Sequence, residues 1–243
     1  ELELFAKLFD NSDNWKQARL PVIHAQQLID VLFCFEKQDK KLGDMLDEVY
    51  TTQMWNETNA QNDRTITRNI HFPVTTLDLV YSGPHIGVAN PLFKVSRRIC
   101  RLNSDYDNVD LTFISNDYLP RCNYSPSCVV SEYIQRIPTT GWRQKVHELF
   151  RFTARKMLNL SGERTLIGAI IPKSTAHING LESIVFGNYI NLVLFCGYAA
   201  SIPYDFFIKS IGKSNLHSDN INPLPIMNTK YNSSLLCRSL LLN

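Results

Sequence analysis

Asn90-Pro91-Leu92-Phe93 comes nearest to a known reaction chemistry. An Asn-Pro-Pro-aromatic turn accepts hydrogen bonds from an amino group through its Asn side chain and a backbone carbonyl, while the aromatic ring stacks on a base drawn out of its helix. Here Leu92 stands at the second Pro, and no Gly-rich strand-to-helix turn precedes it. Ser82-Gly83-Pro84-His85-Ile86-Gly87 carries a Pro where backbone N–H donors would be needed. The string reads as non-catalytic. Asp39-Lys40-Lys41, with Asp30 upstream, matches the acid-then-Asp-x-Lys pattern of metal-dependent nucleases, but it falls in an acidic stretch of helical periodicity. His71, His85 and His177 follow no metal spacing, and the six cysteines form no Cys-x-x-Cys pair. We assign no catalytic residue, metal ligand or cofactor within this chain.

The basic side chains are more informative. Residues 1–88 hold 8 Lys/Arg against 13 Asp/Glu, residues 89–176 hold 13 against 7, and residues 177–243 hold 4 against 3. The middle third is therefore where a polyanion would dock. Lys94, Arg97, Arg98 and Arg101 form a compact cluster, and Arg121 follows Leu119-Pro120. Arg143, His147, Arg151 and Arg155 recur at every fourth position, which on a helix makes one cationic stripe. Lys173 and His177 lie in a polar loop, and Lys213 and Asn215 in a later one. Arg and Lys neutralise phosphates, whereas Asn, Gln and Arg pair with base edges, so these positions are the expected DNA contacts.

The elements that must carry these residues point to an α+β chain. Leu28, Val31, Leu32 and Phe35, then Leu42, Met45, Leu46 and Val49, predict a helical hairpin within 21–55. The polar run 56–69 predicts a loop. Short β-like runs are expected at Leu77–Tyr81, Ile86–Ala89, Leu111–Ile114 and Cys128–Ile134. Trp142, Val146, Leu149, Phe150, Thr153 and Met157 predict a helix over 141–159, with the cationic stripe on its wet face. Strands are expected within 164–171 and 183–186, and helices over 189–201, 203–211 and 233–242, with a loop at 212–222. The arrangement expected is an N-terminal helical segment, 1–60, acting as connector or docking surface, followed by a mixed domain, 61–243, with a small sheet backed by helices.

Apolar residues make up 44% of the 243, enough for a substantial core. The longest apolar stretch, 184–203, is broken by Asn188 and Asn191 and reads as a buried helix, so no membrane partner is expected. Scattered cysteines fit a reducing, cytoplasmic setting, with Cys34 and Cys196 as small core residues. The chain begins at Glu1 inside a patterned segment and stops after Leu240-Leu241-Leu242, as a piece of a longer protein would.

Several longer strings carry a family resemblance. One set is Met54-Trp55-Asn56-Glu57-Thr58-Asn59-Ala60-Gln61, Ala89-Asn90-Pro91-Leu92-Phe93-Lys94 and Asp117-Tyr118-Leu119-Pro120-Arg121-Cys122-Asn123-Tyr124. The other is Trp142 to Arg151, Gly162-Glu163-Arg164-Thr165-Leu166-Ile167-Gly168-Ala169-Ile170-Ile171-Pro172, and Asn215 to Pro225. From about residue 50 onward the chain resembles the C-terminal half of Type IIG-like restriction–methyltransferases and BREX-type phage-defence methyltransferases. That resemblance implies target recognition on double-stranded DNA, next to an adenine-N6 methyltransferase domain outside this chain that would bind S-adenosylmethionine and do the chemistry. It leaves open whether the parent protein also cleaves DNA. The alternative is a scaffold packing against that methyltransferase domain through the acidic helices of 21–55.

Overall fold

The computed structural model describes residues 1–10, 12–21, 23, 25–45, 47–226 and 232–242; Leu46 of the expected helical repeat lies outside them. Mixed α+β architecture is present, with an N-terminal helix and small sheets. The helices and strands, in chain order, are α1 (Leu2–Asp10), α2 (Gln26–Glu36), β1 (Val49–Thr52), α3 (Glu57–Asn62), β2 (Ile66–His71), β3 (Val80–Tyr81), β4 (Lys94–Ser96), β5 (Tyr106–Asn108), β6 (Cys122–Pro126), α4 (Val130–Arg136), β7 (Arg151–Arg155), β8 (Gly168–Ile171), β9 (Ala176–His177), β10 (Leu181–Phe186), α5 (Tyr189–Ala199), α6 (Ile202–Ile211), α7 (Ser218–Ile221) and α8 (Asn232–Leu242).

An antiparallel sheet of order β1-β10-β7-β8 forms the centre. All six residues of β10 are buried, so both faces of the sheet are covered. Strand alternation divides them: Phe152 and Ala154 of β7, with Ile184 and Phe186 of β10, face the helices. Leu181 and Val185 of β10 face a second layer built from the two-stranded pairs β2-β6, β3-β9 and β4-β5. On the helical side α1, α2, α5 and α6 meet in one core. Phe35 of α2 packs edge-on against Tyr204 and Phe207 of α6, and Phe9 of α1 against Phe207. Residues 1–52 thus contribute β1 to the main sheet and Leu8, Leu32, Phe35 and Leu42 to the larger core.

Local chemistry explains the helix ends. Asn188 Oδ1 accepts from the Ile190 N–H at the start of α5, and Pro203 occupies the first turn of α6. Gly212 closes α6 with φ 69°, the left-handed conformation that favours glycine. α5 is apolar around most of its surface because it lies between the sheet and α8. Among the described residues no single helix is long and apolar enough to cross a membrane.

Several expected elements differ. The helix over 141–159 is absent: a turn with Arg143 at φ 63° leads into a short 3-10 helix, Val146–Glu148, and then β7. Both faces of β7 are covered, so its sequence lacks the polar alternation of a half-wet strand, and its cations happen to fall at helical spacing. Met157, expected to be packed, is 76% exposed, whereas Arg151, expected to be wet, is fully buried.

Within 56–69, Asn56 accepts from the Asn59 N–H and caps α3, and β2 pairs with β6 although its side chains are mostly exposed. Backbone pairing, which leaves no apolar signature, makes that strand. Residues 130–136 form helix α4, held by an Arg136–Glu132 pair at 2.5 Å, instead of an extended run. Ile86–Ala89 and Leu111–Ile114 form turns and bends without strand pairing of their own beyond a Gly87–Asn90 bridge. Among the described residues of 21–55 only α2 is a full helix; a 3-10 turn and β1 follow it. Cys34 is exposed, Cys196 buried.

Candidate functional site

A cavity of about 510 Å³ opens where β2, β4, β6 and β7 converge. Arg68 and Tyr124 are register partners across β2 and β6, and both line it. Arg68 Nη2 donates to the Cys100 carbonyl at 3.2 Å. Lys94 enters from β4, and Arg101 from the loop between β4 and β5. That loop is tied by Asp105, whose Oδ2 accepts from the Arg101 and Leu102 N–H groups, each at 2.9 Å. Those N–H donors hold the Asp105 carboxyl below its usual range. Arg155 comes from the end of β7. Its Nε donates to the Ile86 carbonyl at 2.8 Å, and its guanidinium lies 5.6 Å from the Phe93 ring centre. Burial pulls Arg155 down from the usual guanidinium value. The Lys94 ammonium lies 5.4 Å from the same ring.

Four cations thus line one cavity, against the single carboxylate of Glu57, which accepts from the Tyr124 hydroxyl. Among the described residues none of the four cations is in an ion pair. The floor is polar and buried. Asn123 Nδ2 donates to the Tyr106 hydroxyl at 2.6 Å, and Tyr106 meets Ser82 Oγ at 2.9 Å. Ser82 Oγ lies 3.0 Å from His85 Nδ1, and His85 Nε2 is 3.1 Å from the Arg121 carbonyl. Burial pushes the Tyr106 hydroxyl up to about 12 and lowers His85. Such a cavity is built to hold an anion and to present hydrogen-bonding groups beneath it.

Of the residues expected from sequence, Lys94, Arg101 and Arg155 meet in the cavity. Arg97 and Arg98 are exposed on the adjoining loop, where Arg97 pairs with Asp107 at 2.7 Å. Arg121 donates to the Ser96 carbonyl and lies 4.5 Å from the centre of the exposed Phe72 ring. Lys213 and Asn215 lie in the loop after α6. Asn215 bridges to Met157, a cavity-lining residue, so this loop sits beside the rim. Arg143 is exposed in its turn, and Lys173 is exposed over Phe150 and Tyr189; neither lines the cavity.

Three expected contacts are corrected, the first being His147, which is buried in the short turn Val146–Glu148. Arg151 is fully buried and donates to the carbonyls of Val146, Leu149 and Thr175, which makes it a structural tie under the sheet. His177 is fully buried, its Nε2 2.7 Å from Ser183 Oγ. Asn90 Oδ1 accepts from the Leu92 N–H at 2.8 Å, so its side chain closes a turn. Asp39 is exposed just after α2, and Asp30 on α2 accepts from Gln26. Among the described residues no three His, Cys, Asp or Glu side chains converge as a metal would require.

Sequence reading missed Arg68, Glu57, Tyr106, Asn123 and Tyr124. Arg68 sat in what read as a polar loop, and only the β2-β6 register brings it to Tyr124. No family model and no curated protein matches the chain.

Proposed function

We propose that this chain binds double-stranded DNA, as the target-recognition part of a restriction–modification or phage-defence adenine-N6 methyltransferase. The observation that carries DNA binding is the convergence of Arg68, Lys94, Arg101 and Arg155 on one cavity with, among the described residues, no ion pair to neutralise them. Arg98 and Arg121 extend the basic surface beside it, and the Lys213–Asn215 loop borders it. The placement in a methyltransferase rests on the resemblance of the strings from residue 54 to Pro225. In this reading phosphate contacts set register, and side chains on the rim read bases. S-adenosylmethionine belongs to the neighbouring methyltransferase domain, and this chain performs no chemical step.

Titration of duplex DNA across salt tests it. Each phosphate neutralised at the cavity or on the basic surface beside it should add about −0.9 to the slope of log K against log salt. Replacing Lys94, Arg101 and Arg155 together by Ala should make that slope shallower. A flat salt dependence in the unaltered chain would sink the electrostatic model. The scaffold alternative draws support from exposed Trp15, Leu20 and Phe33 in the N-terminal segment. Binding to the methyltransferase domain without binding to DNA would favour it.

A further inference from the structure

The loop between β4 and β5 puts aliphatic side chains in water beside the cationic cavity. Ile99 is 71% exposed and Leu102 68%, and the exposed Arg98 and Arg101 stand next to them in the chain. Leu102 also lines the cavity, as does the exposed Met157 from beyond β7. Single aliphatic residues on a surface are ordinary; aliphatic side chains gathered around one charged cavity are not.

The loop is firmly held. Cys100, between the two aliphatic residues, is buried: its carbonyl accepts from Arg68 Nη2 at 3.2 Å, and its sulfur lies 3.4 Å from Asn123 Nδ2. The Arg97 N–H donates to the Asp105 carbonyl and the Asp105 N–H to the Leu102 carbonyl, each at 3.0 Å. Ile99 and Leu102 are therefore presented by a backbone pinned on both sides of them, and covering them costs little ordering of the loop. The nearby carboxylates are engaged, Asp107 with Arg97 and Asp105 with the loop N–H groups. Among the described residues Arg98 and Arg101 are in no ion pair, so the loop offers two aliphatic side chains and two open cations.

A partner that covers this loop must join an apolar interior to an anionic exterior. Duplex DNA does so, with stacked base faces inside and phosphates outside. An anionic bilayer has the same two parts but is flat, which suits a concave cation site less than a convex duplex does. We infer that the β4–β5 loop is a wedge for duplex DNA: Ile99 and Leu102 enter a base step and unstack it, while Arg98 and Arg101 hold the flanking phosphates. This rests on the reading of the cationic cavity as the DNA face. It adds discrimination without a hydrogen bond to any base, because pyrimidine–purine steps such as TA unstack most readily.

Fluorescence of 2-aminopurine, placed in turn along a duplex containing TA steps, rises where a base loses its stacked neighbour. Energy transfer between the duplex ends reports bending, and anisotropy across salt reports binding separately. The full chain should raise the fluorescence several-fold at a TA step and bring the duplex ends closer. Ile99→Ala combined with Leu102→Ala, exposed positions whose side chains carry none of the loop's ties, should abolish both signals. That double variant should bind about tenfold more weakly, with the salt dependence retained. Arg101→Ala should instead make the salt slope shallower by about 0.9 and still unstack the step at saturation. Salt-dependent binding without unstacking, or unstacking that persists in the double variant, overturns the wedge and leaves the DNA reading standing. Absence of duplex binding overturns both. Binding to phosphatidylglycerol vesicles that is lost in the double variant, with no unstacking of DNA, assigns the loop to a membrane surface and overturns the wedge.

Discussion

At the scale of single residues, charge did not tell where a side chain would lie. Arg151 and Arg155 are four positions apart on β7 and share a face, yet one is fully buried and the other lines the cavity. The difference is what covers each end of the strand. Arg151 lies under the Thr175 carbonyl, while Arg155 reaches the open edge beside Phe93. Burial in turn makes certain groups pH-sensitive. It pushes His177 down to about 3, against 6.5 when free, aided by the Arg151 charge. Between those values the unfolded chain binds the proton and the folded one does not, so stability falls as pH drops through 6.5 toward 3. Fully buried His85 acts in the same direction. Glu182 opposes them: burial raises it to about 7 from 4.5, so the stability it contributes is lost as pH rises through that range. His85 adds to His177, and on that sum urea midpoints should decline from pH 7 to pH 4. In His177→Gln the decline should shrink or reverse; an unchanged slope would remove His177 as its cause.

At the scale of elements, legibility followed periodicity. α5 and α6 and the strands β8 and β10 could be read from sequence because apolar runs and Pro or Gly boundaries mark them. β2 could not, since its residues are mostly polar and its pairing with β6 is a backbone matter across more than fifty residues. β7 misled because two patterns coexist over 142–157, a helical spacing of cations and a short aromatic strand. Gly168 in β8 shows which one packing selects. It lies opposite Ala154, and an added Cβ would overlap the Phe152 ring. Gly168→Ala should cost about 1–3 kcal/mol in denaturant unfolding. On the helix first expected over 141–159, Phe152 would not be held against Gly168 and the substitution would be neutral.

For the whole molecule, the decisive feature is that residues 1–52 share a core with the helices that follow the sheet. Phe35, 2% exposed between Tyr204 and Phe207, links them. Phe35→Ala should lower stability by about 3–4 kcal/mol. Loss of α5 and α6 signals should accompany loss of α2 in one cooperative transition; melting of the N-terminal segment alone, with the rest unchanged, would contradict a shared core. Legible from the chain alone were the α+β class, apolar helices over 189–201 and 203–211, the basic middle third, and three of the four cavity cations. These follow from composition and local spacing, which act within a turn or a strand. Long-range packing decided which cations are exposed, brought Arg68 to Tyr124, and set the buried Ser82, Tyr106 and Asn123 beneath them. Those outcomes depend on strand register and on what covers each face, contacts between residues far apart in the chain that no local pattern encodes.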